Sequence, residues 1–124
     1  MKKIFIADDD SDILEVLKIM LQIKGYEVEA TSNANENFIS NAAKADLVIL
    51  DLWMSGIDGR TVCKALRAAE QTKHIPIIFM SANSSLKEIA KEYNVDYIEK
   101  PFEMSYLLNK VQRLTTGKVE FPSI

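Results

Sequence analysis

Three short apolar runs, Ile4-Phe5-Ile6-Ala7, Leu47-Val48-Ile49-Leu50 and Pro76-Ile77-Ile78-Phe79-Met80, are each closed by a polar residue: Asp8, Asp51 and Ser81. Such runs are too short for helices, and they lack the polar alternation of a half-exposed strand. They therefore read as strands buried on both faces, which is the habit of a parallel sheet covered by helices. In such a sheet ligands bind at the carboxyl ends of the strands. The residues that close the runs are thus the first candidates for a site, with Asp51 foremost because Leu52-Trp53-Met54 follows it and no helix starts there.

Helical patterns separate the runs. Ser11 or Asp12 is expected to cap a first helix, with Glu15 three residues after Asp12 completing a capping box, and Gly25 stops it after Lys24. At 3.6 residues per turn its apolar residues, from Ile13 to Ile23, cover an arc of about 220°. One sheet face needs less, so part of this arc is expected to meet something else. Tyr26 to Ala30 alternates like an edge strand, and Asn33 to Ala43 forms a weak polar helix with Phe38 and Ile39 inward. Beyond Asp51, Gly56 and Gly59 make a turn, Asp58 caps, and Val62, Ala65, Leu66 and Ala69 stripe a third helix. Ser85 and Glu88 have capping-box spacing before a helix through Asn94. Val95 to Glu99 is a fifth strand, and Met104, Leu107, Leu108 and Val111 mark a last helix. Five strand-helix alternations with short connections favour one parallel sheet with helices on both faces.

At 124 residues, 48% hydrophobic and 27% charged, the chain suits one globular domain, expected over 1–117, with 118–124 a short tail and no effector domain. The net charge of -3, with both signs interspersed, offers no basic patch for nucleic acid or a membrane surface. Lys2 and Lys3 precede only a short apolar run before Asp8, far from a signal-peptide core, so a cytoplasmic protein is expected, monomeric or weakly dimeric. The single cysteine, Cys63, lies on a helical pattern and reads as a small core residue. His74 reads as a surface loop residue before Ile75-Pro76.

Asp8, Asp9, Asp51, Ser81 and Lys100 all end strands at the ligand face. Three carboxylates within a few ångströms would repel by several kcal/mol at an effective dielectric of about 20, so a cation is implied among them. Oxygen-only ligands with room for water and phosphate suit Mg²⁺ better than zinc or copper. For Asp10 and Asp58 helix capping is the better account.

Taken together, Asp8-Asp9, Leu50-Asp51-Leu52, Gly56-Ile57-Asp58-Gly59, Ser81-Ala82, Tyr97 and Lys100-Pro101-Phe102 resemble the receiver domain of bacterial two-component response regulators. The resemblance spans residues 2–115 and implies a flavodoxin-like sheet with strand order 2-1-3-4-5. It implies that Asp51 accepts a phosphoryl group from a sensor histidine kinase or histidine phosphotransfer protein. It further implies Asp9, Asp51 and the Trp53 backbone carbonyl as Mg²⁺ ligands, with Asp8 acting through water. Lys100, the Ser81 hydroxyl and the Ala82 N–H would hold the phosphoryl oxygens, and Tyr97 would be a switch aromatic responding to Ser81. The output would be a surface read by a downstream target protein, or onward relay. Two positions depart from the family's habit: Ser55 stands where proline is usual, and Ser81 where threonine is common.

The rival reading is an Asp-nucleophile phosphohydrolase of small molecules. That chemistry needs an acid/base carboxylate two residues after the nucleophile, and Trp53 occupies the place. A nucleotide-binding module would need a Gly-rich loop after the first strand, where Asp8-Asp9-Asp10-Ser11 stands instead.

Overall fold

The computed structural model describes residues 1–32, 37–54 and 56–116. The expectations for Asn33 to Glu36, for Ser55 and for the tail 118–124 lie outside the described residues. The elements are β1 (Lys3–Ala7), α1 (Ser11–Ile23), β2 (Glu27–Thr31), α2 (Phe38–Ala42), β3 (Leu47–Asp51), β4 (Trp53–Met54) and β5 (Ile57–Asp58). They continue as α3 (Gly59–Ala68), β6 (Ile77–Ser81), α4 (Leu86–Tyr93), β7 (Asp96–Glu99) and α5 (Met104–Thr116). Five strands pair in parallel in the order β2-β1-β3-β6-β7, while β4 and β5 make a separate two-stranded ribbon. Without that ribbon the order is the expected 2-1-3-4-5, in a doubly wound sheet.

The period of two along each strand sorts the core into two layers. Ile4, Ile6, Leu47, Ile49, Ile78, Met80 and Ile98 face one way and pack with Leu14, Leu17 and Leu21 of α1 and Leu107 and Val111 of α5. Phe5, Val48, Leu50 and Phe79 face the other way, against Phe38 of α2, Val62, Cys63 and Leu66 of α3, and Leu86 and Ala90 of α4. Phe5 and Phe38 meet edge to face at 4.9 Å. All of β3 is buried, as its unbroken apolar run requires. Cys63 is a buried core residue, and His74 is exposed.

Several local expectations are corrected. Asp10, not Ser11 or Asp12, caps α1: its carboxylate accepts from the N–H groups of Asp12 and Ile13, so the helix starts one residue earlier. Ser85 sits at the N-cap of α4 but makes no side-chain cap bond; the turn before the helix is instead tied by the Ser85 N–H, which donates to Asn83 Oδ1 at 2.7 Å. In α3 the buried stripe runs through Cys63, whereas Ala65 is exposed and Ala69 ends the helix. Gly56 does turn with positive φ (80°), but Gly59 is already helical. A Cβ at Gly59 would stand 2.6 Å from the Asp51 carbonyl oxygen, so close approach to the end of β3, rather than a turn, requires glycine there. The wide arc of α1 is only partly covered among the described residues: Val16, Ile19 and Ile23 remain 52%, 49% and 71% exposed.

Candidate functional site

Parallel pairing brings the strand ends into one row. Ala7 is level with Leu50, so Asp8 leaves β1 beside Asp51, and Asp51 is level with Met80, so Ser81 ends β6 one residue further on. The Lys100 N–H donates to the Ser81 carbonyl at 2.9 Å, which fixes Lys100 at the same edge. Four residues separated by up to 92 positions thus meet because each lies at the carboxyl end of a strand of one parallel sheet.

Asp8, Asp9 and Asp51 each offer a carboxylate oxygen within 4.8 Å of the others. Asp8 is wholly buried; it accepts the Asp10 N–H at 2.9 Å and the Lys100 ammonium at 2.8 Å. Asp51 is 7% exposed, and its Oδ1 lies 3.6 Å from Lys100 Nζ. Asp9 is exposed and faces the cluster from the solvent side. Burial raises the Asp51 pKa to about 6, and the neighbouring Asp8 and Asp9 charges add to the rise; Lys100 and the Trp53 backbone N–H oppose it. Lys100 loses hydration by burial, yet Asp8 and Asp51 outweigh that loss and hold it above the ordinary lysine range. Each group therefore reports the same imbalance: three carboxylates against one ammonium. A hard divalent cation is the complement, and the all-oxygen donor set fits Mg²⁺. A bound cation would also bring Asp51 back toward its ionised form.

The other expected residues sit around this cluster. Trp53 begins β4 with its side chain 61% exposed, and no carboxylate stands two residues after Asp51. The Ser81 hydroxyl accepts the Asn83 N–H at 3.0 Å, and Ala82 is exposed between them. Tyr97 does not join the acidic cluster. It is half-buried on the edge strand β7, level with Phe79, with its ring 5.2 Å from the ammonium of Lys110.

Lys110 escaped the sequence reading. It is 9% exposed, donates to Asp96 Oδ1 at 2.6 Å and to the Tyr97 carbonyl at 2.9 Å, and lies 5.0 Å from the Tyr106 ring. Only its i+3 spacing from the apolar Leu107 hinted that it faces inward.

Comparison with known proteins agrees with this geometry. Residues 4–112 match the response regulator receiver domain family. The chain is 38% identical over 114 residues to the nisin biosynthesis regulatory protein NisR of Lactococcus lactis subsp. lactis, covering 89% of this chain and 48% of that protein. It is 32% identical over 118 residues to the DNA-binding dual master transcriptional regulator RpaA of a Synechocystis strain, covering 92% and 49%. The chain thus spans about half the length of these curated relatives. Among solved structures, the chemotaxis response regulator CheY4 of Vibrio cholerae superposes with a TM-score of 0.81 at 31% identity, covering 92% of this chain and 98% of that one. The response regulator TrrA of Thermotoga maritima, solved in complex with Mg²⁺-BeF, gives 0.78 at 34% identity, covering 92% and 99%. A family match that runs from β1 into α5, on a fold that gathers Asp8, Asp9, Asp51 and Lys100 at one edge, shows that the chain belongs to the response regulator receiver domains.

Proposed function

We propose that Asp51 accepts a phosphoryl group from a sensor histidine kinase or histidine phosphotransfer protein, and that the acyl phosphate switches the surface of the domain. The observation that carries this reading is the Asp51 carboxylate, buried at the end of β3 with Lys100 Nζ 3.6 Å away and Asp8 and Asp9 beside it. A phosphoryl group brings oxygens that Lys100 can pair with, and it arrives at the one carboxylate of the three that ends the central strand. One Asp51 oxygen attacks phosphorus as the P–N bond to the donor histidine breaks. The bonding pair stays on the imidazole nitrogen. Lys100, the Ser81 hydroxyl and the Ala82 N–H are the groups we assign to the phosphoryl oxygens, so catalysis is positioning plus charge neutralisation. Mg²⁺, held by Asp9, Asp51 and the Trp53 carbonyl with Asp8 acting through water, would supply positive charge to the transferring group. Such a protein signals rather than turns over a substrate.

Val16, Ile19 and Ile23 support a role for α1 in docking the donor, because α1 begins beside Asp9 and leaves these side chains exposed. A groove lined by Ile13, Val16, Pro101 and Phe102 also reaches Lys100. For the output we assign Ser81 and Tyr97 as the coupling. When the Ser81 hydroxyl turns toward a phosphoryl group, the Tyr97 ring can follow into the space it leaves. A target protein reads that change, or the phosphoryl group is relayed to a second histidine protein. Mass spectrometry after acetyl phosphate and Mg²⁺ tests the acceptor: wild type gains one phosphoryl group and Asp51→Asn gains none. Labelling of Asp51→Asn at the wild-type level would refute the assignment. NMR of Ser81→Ala with beryllofluoride tests the coupling, which predicts that α5 and β7 signals no longer respond as in wild type.

A further inference from the structure

The exposed apolar face of α1 runs most of the length of the helix. It carries Val16, Ile19 and Ile23, and at its upper end it passes into a groove of about 410 Å³ that Ile13, Val16, Pro101 and Phe102 help to line. A continuous apolar surface of this kind marks a contact site. The topology brings one segment of the chain to its lower end. α1 follows β1 and α5 follows β7 in one parallel sheet, and both helices pack on the same sheet face, so both run away from the acidic cluster and end at the same pole. Accordingly Lys24, just past α1, and Gln112, in the last turns of α5, line one pocket. The chain leaves α5 at Thr116, beside the end of α1, and continues as Gly117-Lys118-Val119-Glu120-Phe121-Pro122-Ser123-Ile124.

We propose that this segment of the chain is the occupant of the α1 face, with Val119 against Ile23, Phe121 against Ile19, and Ile124 in the groove beside Ile13. Reach and spacing both support the match. Eight extended residues span about 26 Å, whereas Ile23 lies only about 15 Å along the helix from Ile13. In an extended segment Val119 and Phe121 share one side and stand about 6.6 Å apart, close to the 6 Å or so that separates Ile23 from Ile19. Around Pro122 the chain favours polyproline II, whose period of three puts Ile124 on the side of Phe121 and about 9 Å further on. Ile13 lies about 9 Å from Ile19. A tethered segment also meets the face at a millimolar effective concentration, which a free partner must compete against. The segment would therefore mask the face that a phosphodonor uses. That consequence rests on α1 as the donor's docking face, whereas the placement of the segment does not.

The test uses the full chain with labelled isoleucine methyl groups. Nuclear Overhauser contacts are expected from the Phe121 ring to the methyls of Ile19 and Ile23, and Phe121→Ser should shift the amide signals of Val16, Ile19 and Ile23. Absence of the contacts, or α1 signals that ignore Phe121→Ser, would overturn the proposal. A mixture of labelled and unlabelled protein covers the other occupant: contacts found only between copies would assign the face to a second molecule and likewise overturn it. Transfer from a phosphohistidine-loaded phosphotransfer protein below saturation then tests the masking. Phe121→Ser should accelerate it roughly three- to tenfold, as expected for a face that is covered most of the time, and leave acetyl phosphate labelling unchanged. Contacts within one copy together with an unchanged donor rate uphold the placement and remove α1 as the donor's docking face.

Discussion

Two clusters in this domain are built from the same residue types, aspartate and lysine, and have opposite electrostatics. At the carboxyl ends of β1 and β3, Asp8, Asp9 and Asp51 face one ammonium, Lys100, 2.8 Å from Asp8. At the amino end of β7, Asp96 faces two cations, Lys110 at 2.6 Å and Arg113 at 2.9 Å. In the first, burial and like charge raise the Asp51 pKa to about 6. In the second, burial also pushes upward, but Lys110, the Tyr97 N–H and Arg113 outweigh it and leave Asp96 below the usual carboxylate range. The difference separates a site from a brace. A cluster short of positive charge is incomplete until a cation or phosphoryl-transfer chemistry uses it, while a cluster with charge to spare simply holds two elements together.

The contrast can be broken most completely by replacing Asp51. Phosphoryl incorporation from acetyl phosphate in Mg²⁺ is expected to disappear in Asp51→Asn and to persist in Asp96→Asn, read by intact mass. Excess chelator should likewise remove wild-type labelling, since the carboxylates otherwise repel the incoming group.

The same pair of substitutions should move stability in opposite directions. Asp96→Asn leaves the buried Lys110 ammonium without its countercharge and is expected to cost about 2–4 kcal/mol in urea unfolding. Asp51→Asn removes a crowded charge and should stabilise by about 1–3 kcal/mol at neutral pH, from a shift of about two pKa units at 1.36 kcal/mol each. Loss of stability in Asp51→Asn would show that Lys100 depends on Asp51 more than Asp51 suffers from Asp8.

The pH dependence sharpens this further. The fold favours protonated Asp51, so that contribution is present below about pH 4 and is lost as pH rises through about 6. The advantage of Asp51→Asn over wild type should therefore grow across that window. Asp96 behaves the other way: its contribution is present above the unfolded carboxylate value and is lost as pH falls through its lower folded value. The deficit of Asp96→Asn should accordingly shrink in acid. Denaturant midpoints at a series of pH values measure both slopes.

Mg²⁺ should stabilise only through the first cluster. At tenfold over its dissociation constant a ligand specific for the folded state adds about 1.4 kcal/mol, so a melt of Asp96→Asn should rise with Mg²⁺ as wild type does, and that of Asp51→Asn should rise less. The smallest expected effect lies away from both clusters. Ile19→Gln on the exposed face of α1 should change stability by less than about 0.5 kcal/mol, yet slow transfer from a protein donor while leaving acetyl phosphate unaffected. Equal slowing with both donors would remove α1 as the docking face.

Much of this molecule was determined by sequence alone. Buried strands announce themselves as unbroken apolar runs, helices by their period, and the residue that ends each run at the ligand face is read directly from the chain. For that reason Asp8, Asp51, Ser81 and Lys100 are legible as one constellation in the chain itself, and so is Asp58 as the cap of α3. What tertiary structure decided were matters of competition between neighbours. Asp10 wins the cap of α1 over Asp12 because its backbone is extended and its carboxylate accepts the N–H groups of Asp12 and Ile13. Gly59 is required by the backbone of Asp51 and Leu52 passing against it, a contact that no local pattern encodes. Lys110 is the clearest case, since a lysine on a helix reads as solvated until a carboxylate 14 positions away and a strand carbonyl are brought beside it. Periodicity and strand ends are local properties of a chain. The burial of a charge is a property of whatever distant groups the fold places around it.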